Sequence, residues 1–337
     1  MSTTWKVLAA TCALALVAAC SRDTPAPSAT TAEQQAASRT AQDAASAVGC
    51  DRQCLLGFVD RYLDALVARD PARAQFSADA RFTENAQVLE LGDGLWNTAS
   101  AGPAGYKLVV ADETTGQSGF YIIMRENGKP IWLSGRLKVE DDEITELETV
   151  IIRSGSGFGN FDAPAPDSQW NEVLAESERR PREEMIAIAD RYFTALADNL
   201  ADYVPFDDDC NRVENGVRTA NNPESQPFGG GPNVGAMSCR DNINSMMWYY
   251  ITAIDPRRYL VVDEARGIVF GIFMFHHDGT YETIQIPNYG EFTYSGATRR
   301  PFTTVIPEMF KIKDGKILRI EATMTALPYG SKSRWDD

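Results

Sequence analysis

The sequence predicts an α+β fold made of two tandem copies of one small domain. Three observations carry that reading: an internal repeat, an amphipathic helix at the head of each copy, and strand patterns filling the rest. The repeat shows first in the helices, where Phe58-Val-Asp-Arg-Tyr-Leu-Asp-Ala-Leu66 matches Ile188-Ala-Asp-Arg-Tyr-Phe-Thr-Ala-Leu196. At the same spacing, Arg81-Phe-Thr-Glu-Asn85 matches Asn211-Arg-Val-Glu-Asn215. Further on, Val109-Val-Ala-Asp-Glu113 matches Val261-Val-Asp-Glu264, and Leu137-Lys-Val-Glu-Asp-Asp-Glu-Ile144 matches Phe310-Lys-Ile-Lys-Asp-Gly-Lys-Ile317. The spacing grows along the chain, so the second copy carries two insertions, near 219–247 and 280–301. Both are rich in Gly, Pro, Asn and Tyr and read as loops or excursions at one rim.

Each copy opens with a helix. Leu55, Phe58, Val59, Tyr62, Leu63, Leu66 and Val67 recur at helical spacing in the first. Ile186, Ala189, Tyr192, Phe193 and Leu196 do so in the second. Each copy closes with strands, of which 270–275 reads as buried and 311–322 as a hairpin. A mostly antiparallel curved sheet wrapped on a helix leaves one open end, and that end is a pocket. The expected organisation is a first domain over 50–154, a Gly-, Ser-, Asp- and Pro-rich linker over 155–182, and a second domain over 183–337.

Residues 1–19 carry one positive charge and then an apolar Ala/Leu run too short for a permanent membrane span, the pattern of a signal peptide. The run ends Val17-Ala18-Ala19-Cys20, which resembles the lipobox of bacterial lipoproteins. That resemblance implies cleavage before Cys20, lipidation of Cys20 and, with Ser21 following, attachment to the outer membrane on its periplasmic side or at the cell surface. Residues 20–49 are poor in large apolar side chains and read as a disordered tether spanning about 30 Å. The lipid is then the only expected contact with the membrane.

Four cysteines remain beyond the leader: Cys50, Cys54, Cys210 and Cys239. In an exported protein they read as disulfides, with three pairings possible. Pairing within each copy gives Cys50–Cys54 and Cys210–Cys239. A formal charge of −15 repels nucleic acid and anionic headgroups. With His276 and His277 as the sole histidines and no Cys-x-x-Cys pair, neither a metal site nor a bound cofactor is expected. The glycine run 229–231 lacks the Lys-Ser/Thr of a phosphate loop.

The helix Arg61-Tyr62-Leu-Asp-Ala-Leu66, its counterpart Arg191-Tyr192-Phe-Thr-Ala-Leu196, and the acidic strands over 77–85 and 206–215 resemble the nuclear transport factor 2-like fold. Within it, the ketosteroid isomerase and SnoaL-like polyketide cyclase branch is most similar. The resemblance covers most of 50–153 and 183–327 and implies two cone-shaped domains. In ketosteroid isomerases the helix tyrosine donates to a developing oxyanion, which maps to Tyr62 and Tyr192. A second donor, a protonated carboxylic acid, maps to Gly135 and Glu308. The base maps to Asn85 and Asn215, which cannot accept a proton, so steroid isomerisation is not implied.

Another base is then required, and strand alternation favours His277, in phase with Phe273 and Phe275. The expected site is in the second domain. Tyr192, Asn215, His277 and Glu308 form the catalytic set, Phe273 and Phe275 the apolar wall, and Tyr62 a possible substrate contact in the first domain. Each has a plainer reading: tyrosine as helix core, the histidine pair as the approach to a turn, the glutamate as a solvated strand residue. Glu84 and Glu214 read as fold glue paired to an arginine such as Arg81 or Arg212.

The sequence thus points to a cofactor-independent lyase, isomerase or hydrolase of a hydrophobic, aromatic-type small molecule. The alternative is a non-catalytic binding or assembly lipoprotein using the same pocket. The chain is expected to be a monomer that acts as a pseudo-dimer.

Overall fold

The computed structural model describes residues 50–155, 158–227, 231–294 and 296–335. The expected signal peptide, the lipidated Cys20 and the tether lie outside these residues. Among the described residues, no helix is long and apolar enough to cross a membrane.

The first half begins with α1 (Arg52–Ala68), capped by the Asp51 side chain, which accepts from the amide of Cys54. Leu55, Phe58, Val59, Tyr62, Leu63 and Leu66 are buried along one face. Seven strands follow: β1 (Phe76–Glu84), β2 (Gln87–Val88), β3 (Ala99–Ala101), β4 (Lys107–Asp112), β5 (Gln117–Glu126), β6 (Lys129–Glu140) and β7 (Glu143–Arg153). The second half begins with α2 (Arg182–Asp198) and continues through β8 (Phe206–Glu214), β9 (Val217–Ala220), α3 (Cys239–Asn244), β10 (Ala253–Asp263), β11 (Ile268–His277), β12 (Thr283–Ile286), β13 (Gly290–Thr293), β14 (Phe302–Lys313), β15 (Lys316–Ala322) and β16 (Thr325–Leu327).

The fold is mixed α+β with few helices and curled sheets. Six strands of each sheet share one order, β2-β1-β7-β6-β5 with β4 on β5, and β9-β8-β15-β14-β11-β10; the seventh differs, β3 pairing with β5 in the first and β16 with β14 in the second. In each, every ladder is antiparallel except β1 with β7 and β8 with β15. The insertions in the second half are more ordered than loops: the first holds α3, the second the β12–β13 hairpin. Cys50 bonds Cys54, and Cys210 on β8 bonds Cys239 at the start of α3.

Each helix packs on one face of its own sheet. The opposite faces pack on each other through a third core, where Tyr121, Ile123 and Trp132 meet Phe270, Ile272 and Met309. Gly119 permits the closest approach, since a Cβ there would stand 2.7 Å from the Phe270 ring. The halves also exchange charges reciprocally. Arg52, at the head of α1, pairs with Asp263 of the second sheet at 2.7 Å, and Arg182, at the head of α2, pairs with Asp112 of the first at 2.7 Å. Residue i of one half meets residue j of the other and the reverse, the pattern of a twofold interface. Residues 48–337 accordingly form one compact unit.

Candidate active site

The end of the second-half cone opens into a cavity of about 60 Å³. Its charged groups and Tyr192 come from three elements, and β11 adds His276 and His277. Tyr192 projects from α2, Arg212 and Glu214 from β8, and Glu308 from β14. Arg212 and Glu214 are two residues apart on one strand and so share a face. The arginine Nε lies 3.5 Å from the Glu214 carboxylate. Arg212 also donates from Nη1 to the Tyr192 hydroxyl (3.3 Å) and from Nη2 to Asn242 Oδ1 (3.0 Å). Tyr192 stands beside Glu308 on the same wall, and its hydroxyl favours the ionised form of that carboxyl.

Burial sets the protonation of this cluster. It pushes the Glu308 carboxyl from 4.5 up to about 8, aided by the charge of Glu214 and opposed by Arg212 and the Tyr192 hydrogen bond. Glu308 is therefore a neutral acid at neutral pH, with a proton to donate. Burial also raises the Tyr192 hydroxyl well above its ordinary value, with the Glu308 charge adding to it. Burial works against the charge of Arg212 and is the largest single effect, but Glu214, Tyr192 and Glu308 together more than offset it, and the guanidinium is held more firmly charged. The cavity thus has three hydrogen-bond donors, Tyr192, Arg212 and Glu308, of which Glu308 alone has a proton to give near neutral pH, facing one carboxylate, Glu214.

The first insertion holds the arginine in place. Asn242 of α3 is fully buried. Its Oδ1 accepts from Arg212 and from the Trp248 indole (3.0 Å), and its amide donates to the Val234 carbonyl at 2.8 Å. The Arg212 guanidinium also stacks over Trp248, 5.0 Å from the ring centroid. The Cys210–Cys239 bond ties α3 to the strand that carries Arg212 and Glu214.

The structure brings Tyr192, Glu308, His277 and Phe275 to one cavity, but it corrects several expected roles. His277 cannot take a substrate proton, because its two ring nitrogens lie 2.6 Å from the carbonyl oxygens of Tyr250 and Thr298, which only accept. Asn215 does not line the cavity. It sits at φ 47 in a turn, its amide donating to Phe158 and Met324 carbonyls and its oxygen accepting from the Met324 amide. Asn85 makes the same clamp on Ile151 in the first half. Phe273 lies behind the wall, stacked on Phe193 at 4.0 Å. Tyr62 is buried between Trp96 and Phe120 and does not line the cavity that holds Tyr192 and Glu308. Glu214, expected as fold glue facing away, does pair with Arg212 but faces the cavity. Arg212 and Asn242 are the site residues the sequence reading did not assign.

The first half shows what a closed version looks like. Glu84, the counterpart of Glu214, accepts the Leu95 amide at 2.8 Å, and the adjoining Trp96 packs edge-on against Tyr62, 5.8 Å between centroids. Gly135 stands where Glu308 does. Its φ of 157 would place a Cβ 2.0 Å from the Glu148 carbonyl oxygen, so no acid fits there. Among the described residues, no group of three or more His, Cys, Asp or Glu is placed to hold a metal ion.

Comparison with known proteins adds little about chemistry. Residues 178–324 match the family described as a domain of unknown function, DUF8021. No curated protein matches. Among solved structures, LinA is 15% identical, with 45% of this chain and 90% of that one covered at a TM-score of 0.25. A Kribbella flavida DSM 17836 protein named after ketosteroid isomerases is 13% identical, covering 36% and 90% at 0.24. A Jannaschia sp. CCS1 protein named after SnoaL-like polyketide cyclases is 9% identical, covering 45% and 90% at 0.24. Likenesses at this level carry no argument about the reaction.

Proposed function

We propose that the second half is a cofactor-independent enzyme of lyase or isomerase type that moves a proton next to a carbonyl in a hydrophobic small molecule. One observation carries this reading: a carboxylate, Glu214, and a neutral carboxylic acid, Glu308, face the same largely buried cavity with Tyr192 and Arg212 between them. Glu214 accepts the proton from the carbon beside the carbonyl. Glu308, supported by Tyr192, donates to the oxygen on which negative charge develops, and Arg212 holds the charge balance. Phe275 and Phe302 keep the site apolar, which strengthens each of these hydrogen bonds. His277 belongs to the wall. The two halves are read as tandem nuclear transport factor 2-like domains forming a pseudo-dimer, with the first as the closed partner. Cys20 is read as a lipid anchor on the periplasmic face of the outer membrane.

The test is hydrogen–deuterium exchange at the carbon next to the carbonyl of 4-phenylbutan-2-one in D2O, followed by proton NMR with the full-length protein. Acceleration over buffer that survives His277→Gln supports the reading. A protein that binds the ketone without accelerating exchange is instead a binding lipoprotein.

A further inference from the structure

The inner cavity does not end at Glu214. A second chamber of about 430 Å³ lies outside it, and four residues, Glu214, Trp248, Tyr250 and Met324, line both. These four form a neck. The outer chamber is walled largely by β9 (Val217), the first insertion (Val234, Met247), the second insertion (Phe292, Tyr294) and Phe158 of the linker. Its surface is mostly hydrocarbon and aromatic ring, with charge only at Glu214 in the neck and at the exposed Arg218. The first half has no such insertions, and there the same region is plugged by Leu95 and Trp96.

From this arrangement we infer that the ligand is a two-part molecule: a small carbonyl head that passes the neck, and an apolar, ring-containing body that stays in the outer chamber. The inference rests on the proton-transfer reading for what the head is, and on the insertions for where the body lies. The inner chamber is too small for more than a head group, because ligand pockets typically occupy about 300–1,000 Å³. The outer chamber falls within that range, and its wall is mostly apolar, with Arg218, Thr219, Ser225 and Gln226 as a polar minority. The shared residues Glu214, Trp248, Tyr250 and Met324 place the two chambers side by side, so a ligand reaching past them has its reacting carbon at Glu214. An apolar wall that is only partly buried, as at Phe158, which is 44% exposed, fits a body that is covered on binding.

Two ketones with the same head separate the chambers: butanone has no body, and 4-phenylbutan-2-one adds one ring. Binding of each to the full-length protein is measured by calorimetry, independently of turnover. The expected result is at least about tenfold tighter binding of the phenyl ketone, from burial of one ring. Gln226→Trp, which fills the outer chamber, and Phe158→Ala, which removes part of its wall, each bring that ratio down toward one. A ratio near one in the native protein, a ratio that neither variant changes, or no binding of either ketone overturns the inference. Exchange catalysis without the ratio leaves the proton-transfer reading standing and removes the two-chamber ligand. The ratio without catalysis does the reverse.

Discussion

Phe82 and Arg212 hold the same position in their two sheets, each opposite the matching residue of the parallel neighbour strand, Leu147 in the first and Ile320 in the second. Phe82 is ordinary core. Arg212 puts a cation at a core-facing position, where it is 2% exposed and is met by Glu214, Tyr192 and Asn242. A charge in that place is costly unless it is paired and hydrogen bonded, and here it is both.

Arg212→Met keeps the length of the side chain and removes the cation. It leaves the Glu214 carboxylate without this partner and the Asn242 oxygen with the Trp248 indole alone. Breaking a buried pair from one side costs about 3–5 kcal/mol, and the partial exposure of Glu214 favours the lower end. Chemical denaturation measures the loss. An unchanged midpoint would show that the pair contributes nothing to the fold.

Glu308 gives the pH dependence a definite sign. Its carboxyl is raised from 4.5 to about 8, so between those values the folded chain holds a proton that the unfolded chain has released. The associated stability is fully present below 4.5 and is lost as pH rises through about 8. Exchange activity falls over the upper end of the same window as the donor ionises. Glu308→Gln, which keeps a donor that cannot ionise, flattens both profiles there. Glu321 leaves a smaller slope of the same sign, since burial raises it to about 7 against the hydrogen bonds of Tyr106 and Trp170. Denaturation and exchange from pH 5 to 9, with native and Glu308→Gln protein, measure this. A Gln variant with the native slope above pH 7 contradicts it.

The Cys210–Cys239 bond closes a separation of 29 residues and ties the insertion to the reacting strand. Its removal as Cys210→Ser with Cys239→Ser is expected to cost about 3–4 kcal/mol, against about 2 kcal/mol for the short Cys50–Cys54 loop. Activity falls in the first case and not in the second, because only the first bond holds α3 and with it Asn242. Equal effects of the two removals on exchange would refute that link.

Arg182 and Asp112 join the halves. The arginine side chain is 22% exposed and the aspartate 1%. Asp112 also accepts the amide of Val262 at 2.9 Å across the same interface. Asp112→Asn removes the charge and can keep the Val262 acceptor only by turning its NH2 toward the amides of Thr114 and Thr115, which the other oxygen accepts. It is expected to cost about 2–4 kcal/mol, below the fully buried range because the arginine reaches water. A double-mutant cycle with Arg182→Met isolates the pair; a coupling energy of zero would show that the reciprocal exchange is a by-product of packing.

The helices and the sheet content were legible because periodicity is local: Leu55, Phe58, Tyr62 and Leu66 fall on one face whatever surrounds them. Tyr192 and Glu308 were reached through family resemblance. The remaining roles were misread for two physical reasons. Glu-Asn-Gly at 214–216 reads as strand, yet Asn215 and Gly216 both take positive φ, at 47 and 75. The strand therefore ends at Glu214, and the facing side chain is the glutamate and not the asparagine. His277 has the right phase, but its two carbonyl partners come from Tyr250, just after the first insertion, and Thr298, in the second, and no local pattern announces them. A signal for Arg212 was present in the repeat itself: where one copy has phenylalanine in the core, the other has arginine.

The account stands or falls on Glu214. The decisive measurement is the rate of deuterium exchange into 4-phenylbutan-2-one by Glu214→Gln protein, with its binding of the same ketone measured alongside. The amide fills the same space and cannot take a proton. The expected result is binding within about threefold of native and exchange reduced by at least about 10²-fold, in the range for losing a general base. Native exchange by a folded Glu214→Gln protein would contradict the assignment of the base, and with it the proposed chemistry of the cavity.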